Sequence, residues 1–393
     1  MSSRHSHAPT PSSSQPIWID SDRALQSLVV TMVHQESIAV DTEFLRERTY
    51  YPKLALIQLA WPGACYLIDP FAVDLSSLAE AFESSTTTFV FHAFEQDLDI
   101  LDRAVGTVPR NLFDTQIAAG FLGLTKASLV NLLERFCGIT LPKADRLTDW
   151  TDRPLRQTQI DYAASDVLWL LDLKTTLTTE LTKRERAQWA QEETDLAAAK
   201  RRLETPLDDV WLRIKECRGL TADARRYAQA VARWREQRAR ELDIPNRFIL
   251  SDLSIAAIAQ AKPRSLVELG AVRGVDLRRL GPGVDQELLE VVADARNSNI
   301  TPKIPTYESV APRGSGALIS LCTAWVYAKA HHEEIDPALI GTRDDVTEFL
   351  FGSESRLKEG WRYDLIGSDL LAIKAGKKAV FVTKNGALAL TSL

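Results

Sequence analysis

A chain of 393 residues, 45% of them hydrophobic, is long enough for two or three domains at about 150 residues each and apolar enough to bury real cores, which excludes a disordered or fibrous protein. A net charge of −6 excludes a surface that is cationic throughout and leaves local basic faces as the electrostatic route to nucleic acid. Cys65, Cys137, Cys217 and Cys322 form no CxxC pair, so buried thiols are expected rather than a zinc ribbon or disulfide framework.

In chain order, "MSSRHSHAPTPSSSQP" is rich in Ser, Pro and His and reads as a disordered tail in which His5 and His7 are solvated. It carries no apolar stretch, and no uncharged apolar run in the chain reaches the roughly 18 residues of a membrane helix. Neither a signal peptide nor a membrane span is therefore expected, and the protein is expected to be cytoplasmic. From Pro16 to about Gly138, short apolar runs such as "PIWI", "SIAVDTEF", "LALIQLAW", "ACYLID" and "TTFVFHAF" alternate with helical patterns. Such interleaving predicts an α/β sheet of mixed direction with flanking helices. The stretch from Thr115 to about Arg202 reads as helical throughout, with breaks at Leu141-Pro142 and Arg153-Pro154.

Composition changes at "ETPLDDVW", and from there to about Ala295 only helical patterns follow. "NSNITPKIPTYESVAPRGSG" reads as a linker because of its prolines. A further helical stretch leads to "KAVFVTKNGALALTSL", where Asn385-Gly386 between apolar alternations predicts a tight hairpin turn. The expected division is a tail over 1–16, an α/β domain over 17–203, a small α-helical domain over 204–296, a linker over 297–316 and a third unit over 317–393.

Within "SIAVDTEFL", strand alternation puts Asp41 and Glu43 on one face about 7 Å apart. Like charges so close repel, and nothing in ordinary strand packing asks for them. Asp97 and Asp114 sit where helices would open and can each be read as capping acids; Asp114 is kept as structural. Asp166 lies on the apolar stripe with Tyr162, Leu170 and Leu173, and a buried carboxylate without a partner is expensive. Divalent cations turn such repulsion into chelation, since carboxylate oxygens suit hard ions. Two ions about 3.5 to 4 Å apart can activate water on one side of a phosphodiester and stabilise the departing oxygen on the other. Tyr162, one turn before Asp166, would point its phenol into the same space.

"VDTEF", "FHAFEQDL", "FDTQIAA" and "DWTDRPLRQTQIDYAASDVLWLL" resemble, in order and spacing, the exonuclease motifs of the DEDD superfamily in its tyrosine-bearing branch, and the last looks most like the ribonuclease D family. The family's metal-ligating acids fall on Asp41, Glu43, Asp97 and Asp166 and its catalytic tyrosine on Tyr162, with no departure at any of the five. The resemblance implies a ribonuclease H-like fold, two Mg²⁺ or Mn²⁺ ions, and stepwise removal of nucleoside 5′-monophosphates from an RNA 3′ end. His92 matches a recurrent position before the second acid and is a candidate substrate contact, as are Gln58, Arg153 and Gln159 near the site.

Further on, "WREQRARELDIPNRFILSD" resembles the HRDC domain. Arg225, Arg226, Arg233, Arg235, Arg238 and Arg240 outnumber nearby acids there, so this face, with Arg233 and Arg238 as its candidate contacts, can follow a phosphate backbone; Trp211 and Trp234 read as core. The segment after the linker is similar to the second, divergent HRDC-like module of bacterial ribonuclease D proteins, with a cationic cluster at Lys374, Lys377 and Lys378.

The function expected is a metal-dependent 3′→5′ exoribonuclease acting on structured RNA such as precursor tRNA. The same acids would serve a Werner-type DNA exonuclease, because they face the phosphate and not the sugar. A noncatalytic RNA-binding adaptor on a degenerate nuclease fold is the reading from another class, and a missing ligand would favour it. RNA with a free 3′ end is the expected partner, with no membrane; the oligomeric state is not written in the sequence, a monomer being the default.

Overall fold

Six strands, β1 (Ile17–Ile19), β2 (Ser37–Leu45), β3 (Lys53–Trp61), β4 (Ala64–Ile68), β5 (Thr88–Phe91) and β6 (Leu112–Asp114), form one sheet in the order β1-β4-β3-β2-β5-β6. β3 is buried from Leu54 to Trp61, as a central strand covered on both faces must be. β1 runs parallel to β4, β4 antiparallel to β3, and β2, β5 and β6 parallel in turn, so the sheet is mixed as the alternating pattern predicts. The structure, a computed structural model, describes residues 15–141, 148–200, 205–298, 302 and 311–393. Most of the expected tail, the break at Pro142 and most of the expected linker lie outside the described residues.

By contacts the chain forms two units. The first joins the residues up to Glu43 and those from Leu54 to 200 with the C-terminal stretch 311–393. Its helices are α1 (Asp22–Met32), α2 (Leu78–Phe82), α3 (Glu95–Val105), α4 (Thr115–Gly120), α5 (Leu129–Cys137), α6 (Gln157–Leu168), α7 (Leu170–Lys183) and α8 (Ala187–Ala199). Ala164 and Val167 of α6 and Leu170 of α7 seat on Ala39 of β2, Ala60 of β3 and Val90 of β5. The small side chains on the sheet let α6 approach closely, and this fixes its polar edge beside the end of β2. β6 is too short to leave a periodic signal of its own, and its last residue, Asp114, caps α4 through the amides of Gln116 and Ile117.

The second unit contains residues 205–298 together with Phe44–Lys53. Its long helix α9 (Ala222–Leu242) is followed by α10 (Asn246–Ile249), α11 (Asp252–Ala261), α12 (Leu266–Gly270), α13 (Leu277–Leu280) and α14 (Val284–Asn297), around a core that includes Trp211, Tyr227, Val231, Trp234, Ile255 and Leu288. Both tryptophans are thus core residues, and the Trp234 indole N–H donates to Glu287. The segment 44–53 belongs here through Tyr50, whose hydroxyl donates to Glu236 and accepts from Arg240 on α9, while Asp243 accepts from the amides of Tyr50 and Tyr51.

The C-terminal stretch differs from the expected separate unit. Ile319, Cys322 and Val326 of α15 (Gly316–Glu333) share one hydrophobic cluster with Leu132 and Leu133 of α5 and Leu173, Leu177 and Leu181 of α7. Beyond α16 (Pro337–Ile340) and α17 (Arg343–Phe351), the Trp361 ring stacks on Trp189 of α8 with centroids 4.9 Å apart, and the buried Arg362 donates to Glu193. The buried residues of α15, Ile319, Cys322, Val326 and Ala330, form one stripe, and the helix packs chiefly against α16 and α17. The hairpin is present, Lys378–Val382 pairing antiparallel with Leu388–Ser392; its turn hydrogen-bonds Thr383 to Ala387 and places Gly386 at φ 78°, the left-handed geometry that favours glycine.

Candidate active site

β2 delivers Asp41 and Glu43 on one face, and α6 delivers Asp166 to meet them. One carboxylate oxygen from each lies within 4.8 Å of the others. Burial and the neighbouring charges of Asp97, Asp166 and Glu43 hold the Asp41 carboxyl well above the usual carboxylate range. Burial, Asp166 and Asp97 push Glu43 up to about 8. Three hard oxygen donors that repel one another are a set that a divalent cation satisfies, so the residues present fit the ion their family resemblance implies.

Asp97, in the first turn of α3, stands outside this mutual set. It accepts the Thr42 hydroxyl at 2.5 Å. Burial pushes it up to about 7 against the pull of the Thr42 hydrogen bonds. Its charge reaches both Asp41 and Glu43.

Tyr162 comes from α6, one turn before Asp166. Burial, the charges of Asp166 and Glu43 and a hydrogen bond with Asp166 all push its phenol up, so it stays a neutral hydroxyl at ordinary pH. The Trp150 ring, buried, lies 6.0 Å from the Tyr162 ring centroid and backs it. Asp41, Tyr162 and Asp166 open onto a cavity of about 790 Å³, which His92, Lys126 and Asn131 also line. His92 is held by the Thr115 hydroxyl, 2.9 Å from Nδ1, and by the Ala127 carbonyl; burial pushes it down to about 4, so the ring is neutral.

One structural acid matters more than its capping role suggests. Ala93 adopts φ 64°, a strained value for a residue with a Cβ, directly after His92. Asp114 accepts from the amides of Ala93 and Phe94 and so holds this turn, which aims His92 into the cavity and starts α3 at the right place for Asp97. Sequence reasoning missed Lys126 and Asn131, which carry no signal beyond being polar residues in a loop and on an exposed helix face.

Three expected substrate contacts are corrected. Arg153 spends all five N–H donors inside the fold, on both Asp69 carboxylate oxygens and on the carbonyls of Ala55, Trp150 and Asp152, and its guanidinium lies over the Phe71 ring. Gln159 is buried in the cap of α6, accepting from the Arg156 amide and donating to Thr148 and the Asp149 carbonyl. Gln58 is fully buried on the face of β3 that carries Leu56 and Ala60 toward α6, and neither of its amide atoms has a partner among the described residues. In the second unit the cationic excess expected along α9 is locally neutralised. Arg233 pairs with Asp208 at 3.0 Å, Arg238 with Glu287 at 3.2 Å and Arg235 with Asp252 at 2.6 Å.

These features agree with what the chain resembles. A family model described as 3′-5′ exonuclease matches residues 16–182, and one described as HRDC domain matches residues 224–283. Ribonuclease D of Acidiphilium cryptum is 33% identical over 95% of this chain and 96% of its own length, and ribonuclease D of Jannaschia sp. is 35% identical over 88% and 92%. The crystal structure of Escherichia coli RNase D, an exoribonuclease involved in structured RNA processing, superposes with a TM-score of 0.82 at 28% identity, covering 92% of this chain and 99% of that one. One HRDC match is found where the sequence pattern suggested two such modules. With nearly its whole length matched in this way, the chain belongs to the ribonuclease D family.

Proposed function

We propose that the protein is a metal-dependent 3′→5′ exoribonuclease that shortens structured RNA, precursor tRNA among it, by one nucleoside 5′-monophosphate at a time. The observation that carries this reading is the convergence of Asp41, Glu43 and Asp166 within 4.8 Å beside a cavity that Tyr162 lines. Asp41, Glu43, Asp97 and Asp166 would hold two Mg²⁺ or Mn²⁺ ions. Bound there, such ions neutralise the carboxylates and the scissile phosphate and make water acidic enough to attack at neutral pH.

The chain's own residues do the rest. Asp166 accepts from the Tyr162 phenol and fixes its direction; the phenol oxygen, kept neutral, orients the attacking water through its remaining lone pair. His92, neutral and held by Thr115, offers an imidazole edge to the terminal nucleotide. In the HRDC unit, Arg233 and Arg238 sit in partly exposed ion pairs, which are worth little in water and exchange readily for phosphates. The HRDC-like character of the C-terminal stretch belongs to the same proposal, as do a cytoplasmic location and a monomeric state.

Asp41→Asn tests the reading. It keeps the shape of the side chain and removes one of the repelling charges, so cleavage of 5′-labelled single-stranded RNA with Mg²⁺ should disappear. The chelator-treated variant should meanwhile melt higher than the chelator-treated parent by a few degrees, the order of 1 kcal/mol. Wild-type turnover in a folded Asp41→Asn protein would sink the proposal. A matched DNA strand run alongside separates ribonuclease from deoxyribonuclease, and no shortening of either strand would favour the adaptor.

A further inference from the structure

A second groove, of about 600 Å³, is lined in part by α5 and the loop before it, the same segment that supplies part of the catalytic cavity's wall, although no residue lines both. Lys126, Ser128 and Asn131 face the catalytic cavity, whereas Thr125 and Arg135 face the second groove. Asn131 and Arg135 stand four residues apart on α5, on one face and about 6 Å apart along its axis. Across from them α15 presents another such pair, Tyr327 and His331, and the end of α7 adds Arg184. Tyr327 is 57% exposed. Arg184 pairs with Glu334 at 2.6 Å, and the charges of Arg186 and Arg135 reach the same carboxylate, so three guanidiniums bear on one acid.

The groove is a rigid part of the first unit. The Asp336 amide donates to the Gly120 carbonyl at 2.7 Å, and the buried Arg186 guanidinium bridges the carbonyls of Phe121 and Glu334. At Gly123, φ is +86°, and a Cβ there would come within 3.3 Å of the Glu334 backbone. The walls are therefore fixed while the side chains lining them stay exposed.

We propose that this groove is a subsite for the RNA strand upstream of the bond being cut. Arg135 and Arg184 take phosphate oxygens there, Tyr327 stacks on a base, and the strand follows α5 from Asn131 to Arg135. The chemistry supports each part. An exposed Arg–Glu pair contributes little in water, whereas a guanidinium binds phosphate through two parallel hydrogen bonds; Glu334 gives up Arg184 when a phosphate arrives. A ring beside cations is the combination that holds single strands without regard to sequence. The inference rests on the exoribonuclease reading and adds to it a reason for long RNA to bind better than short: a dinucleotide fills the catalytic cavity and ends before the groove.

The test compares a dinucleotide with a twelve-nucleotide oligoadenylate on the full-length protein carrying Arg135→Ala and Tyr327→Ala, singly and together. For the double variant, KM for the long RNA should rise about tenfold or more, because each stacked base and each phosphate contact is lost independently. Dinucleotide turnover and kcat should stay as in the parent, which also shows that the variant is folded. The salt dependence of long-RNA binding should flatten by about one counterion for the lost arginine. A long-RNA KM within twofold of the parent, with an unchanged salt slope, overturns the subsite. An equal loss on the dinucleotide overturns it as well, since the residues would then be supporting the catalytic cavity. If the parent cleaves neither RNA, the exoribonuclease reading is what fails, and fluorescence polarisation with the labelled long RNA still decides the groove by the same affinity and salt criteria.

Discussion

The Thr42 hydroxyl donates to Asp97 at 2.5 Å, and through that bond the strand bearing Asp41 and Glu43 holds the helix bearing the outlying acid. Thr42 is itself buried and lies between the two site acids in sequence, so any shift of β2 moves Asp97 with it. The bond also sets the direction of the Asp97 carboxylate, the role that outer-shell partners play around metal ligands.

Thr42→Val keeps the shape and removes the donor. Asp97 then loses its hydroxyl partner in a buried place, where an unmet carboxylate is costly. Mn²⁺ affinity measured by calorimetry should fall about tenfold, and the Mg²⁺ concentration for half-maximal cleavage should rise in step. Unchanged Mn²⁺ affinity would mean that Asp97 is positioned by α3 alone.

Arg153 and Asp69 make a second pairing whose removal has a signed pH dependence. Burial raises the Asp69 carboxyl, but the Arg153 hydrogen bonds and the Phe71 amide outweigh it and hold it below the usual range. A depressed carboxyl stabilises the fold above its unfolded pKa of about 3.9, and that stability is lost as pH falls through the lower, folded value. Arg153→Ala leaves burial opposed by the Phe71 amide alone, so the variant should be less stable than the parent by about 3 kcal/mol at neutral pH. The gap should narrow as pH drops below about 4. Well below its melting temperature the variant should keep the parent's KM for RNA. A raised KM with an unchanged melting curve would restore Arg153 as a substrate contact.

What the sequence makes legible here is what short-range periodicity controls. Asp41 and Glu43 declare themselves because strand alternation puts two charges on one face, and Asp166 because it breaks an apolar helical stripe. Asp97 is ambiguous alone, since an acid in a first helical turn has an ordinary reason to be there. Arg153 misleads for a long-range reason, whereas Gln159 is taken up by neighbours within 11 residues, Arg156, Thr148 and Asp149. A polar residue near a motif can serve the fold or the substrate, and the partner that decides it for Arg153, Asp69, is 84 residues away in the chain. The same limit hides the C-terminal packing, because Trp189 and Glu193 of α8, which Trp361 and Arg362 meet, belong to a distant part of the sequence.

Tyr162 is the residue on which water activation and RNA binding separate. Its phenol hydrogen-bonds with Asp166, and the Trp150 ring backs it. Those neighbours would pack a phenylalanine equally well, so the hydroxyl is present for chemistry rather than for volume. Tyr162→Phe should leave RNA affinity and the melting temperature close to the parent's, because the ring and its Trp150 contact survive. Single-turnover cleavage at saturating enzyme and Mg²⁺ should slow by about 10²-fold, the size of effect a positioned proton-handling group supplies. The loss belongs in the chemical step: only an interaction made more strongly in the transition state than in the ground state lowers the rate constant without weakening binding. A variant that cleaves at the parent's single-turnover rate yet binds RNA poorly would make Tyr162 a clamp on the terminal nucleotide and leave the attacking water to the carboxylate site.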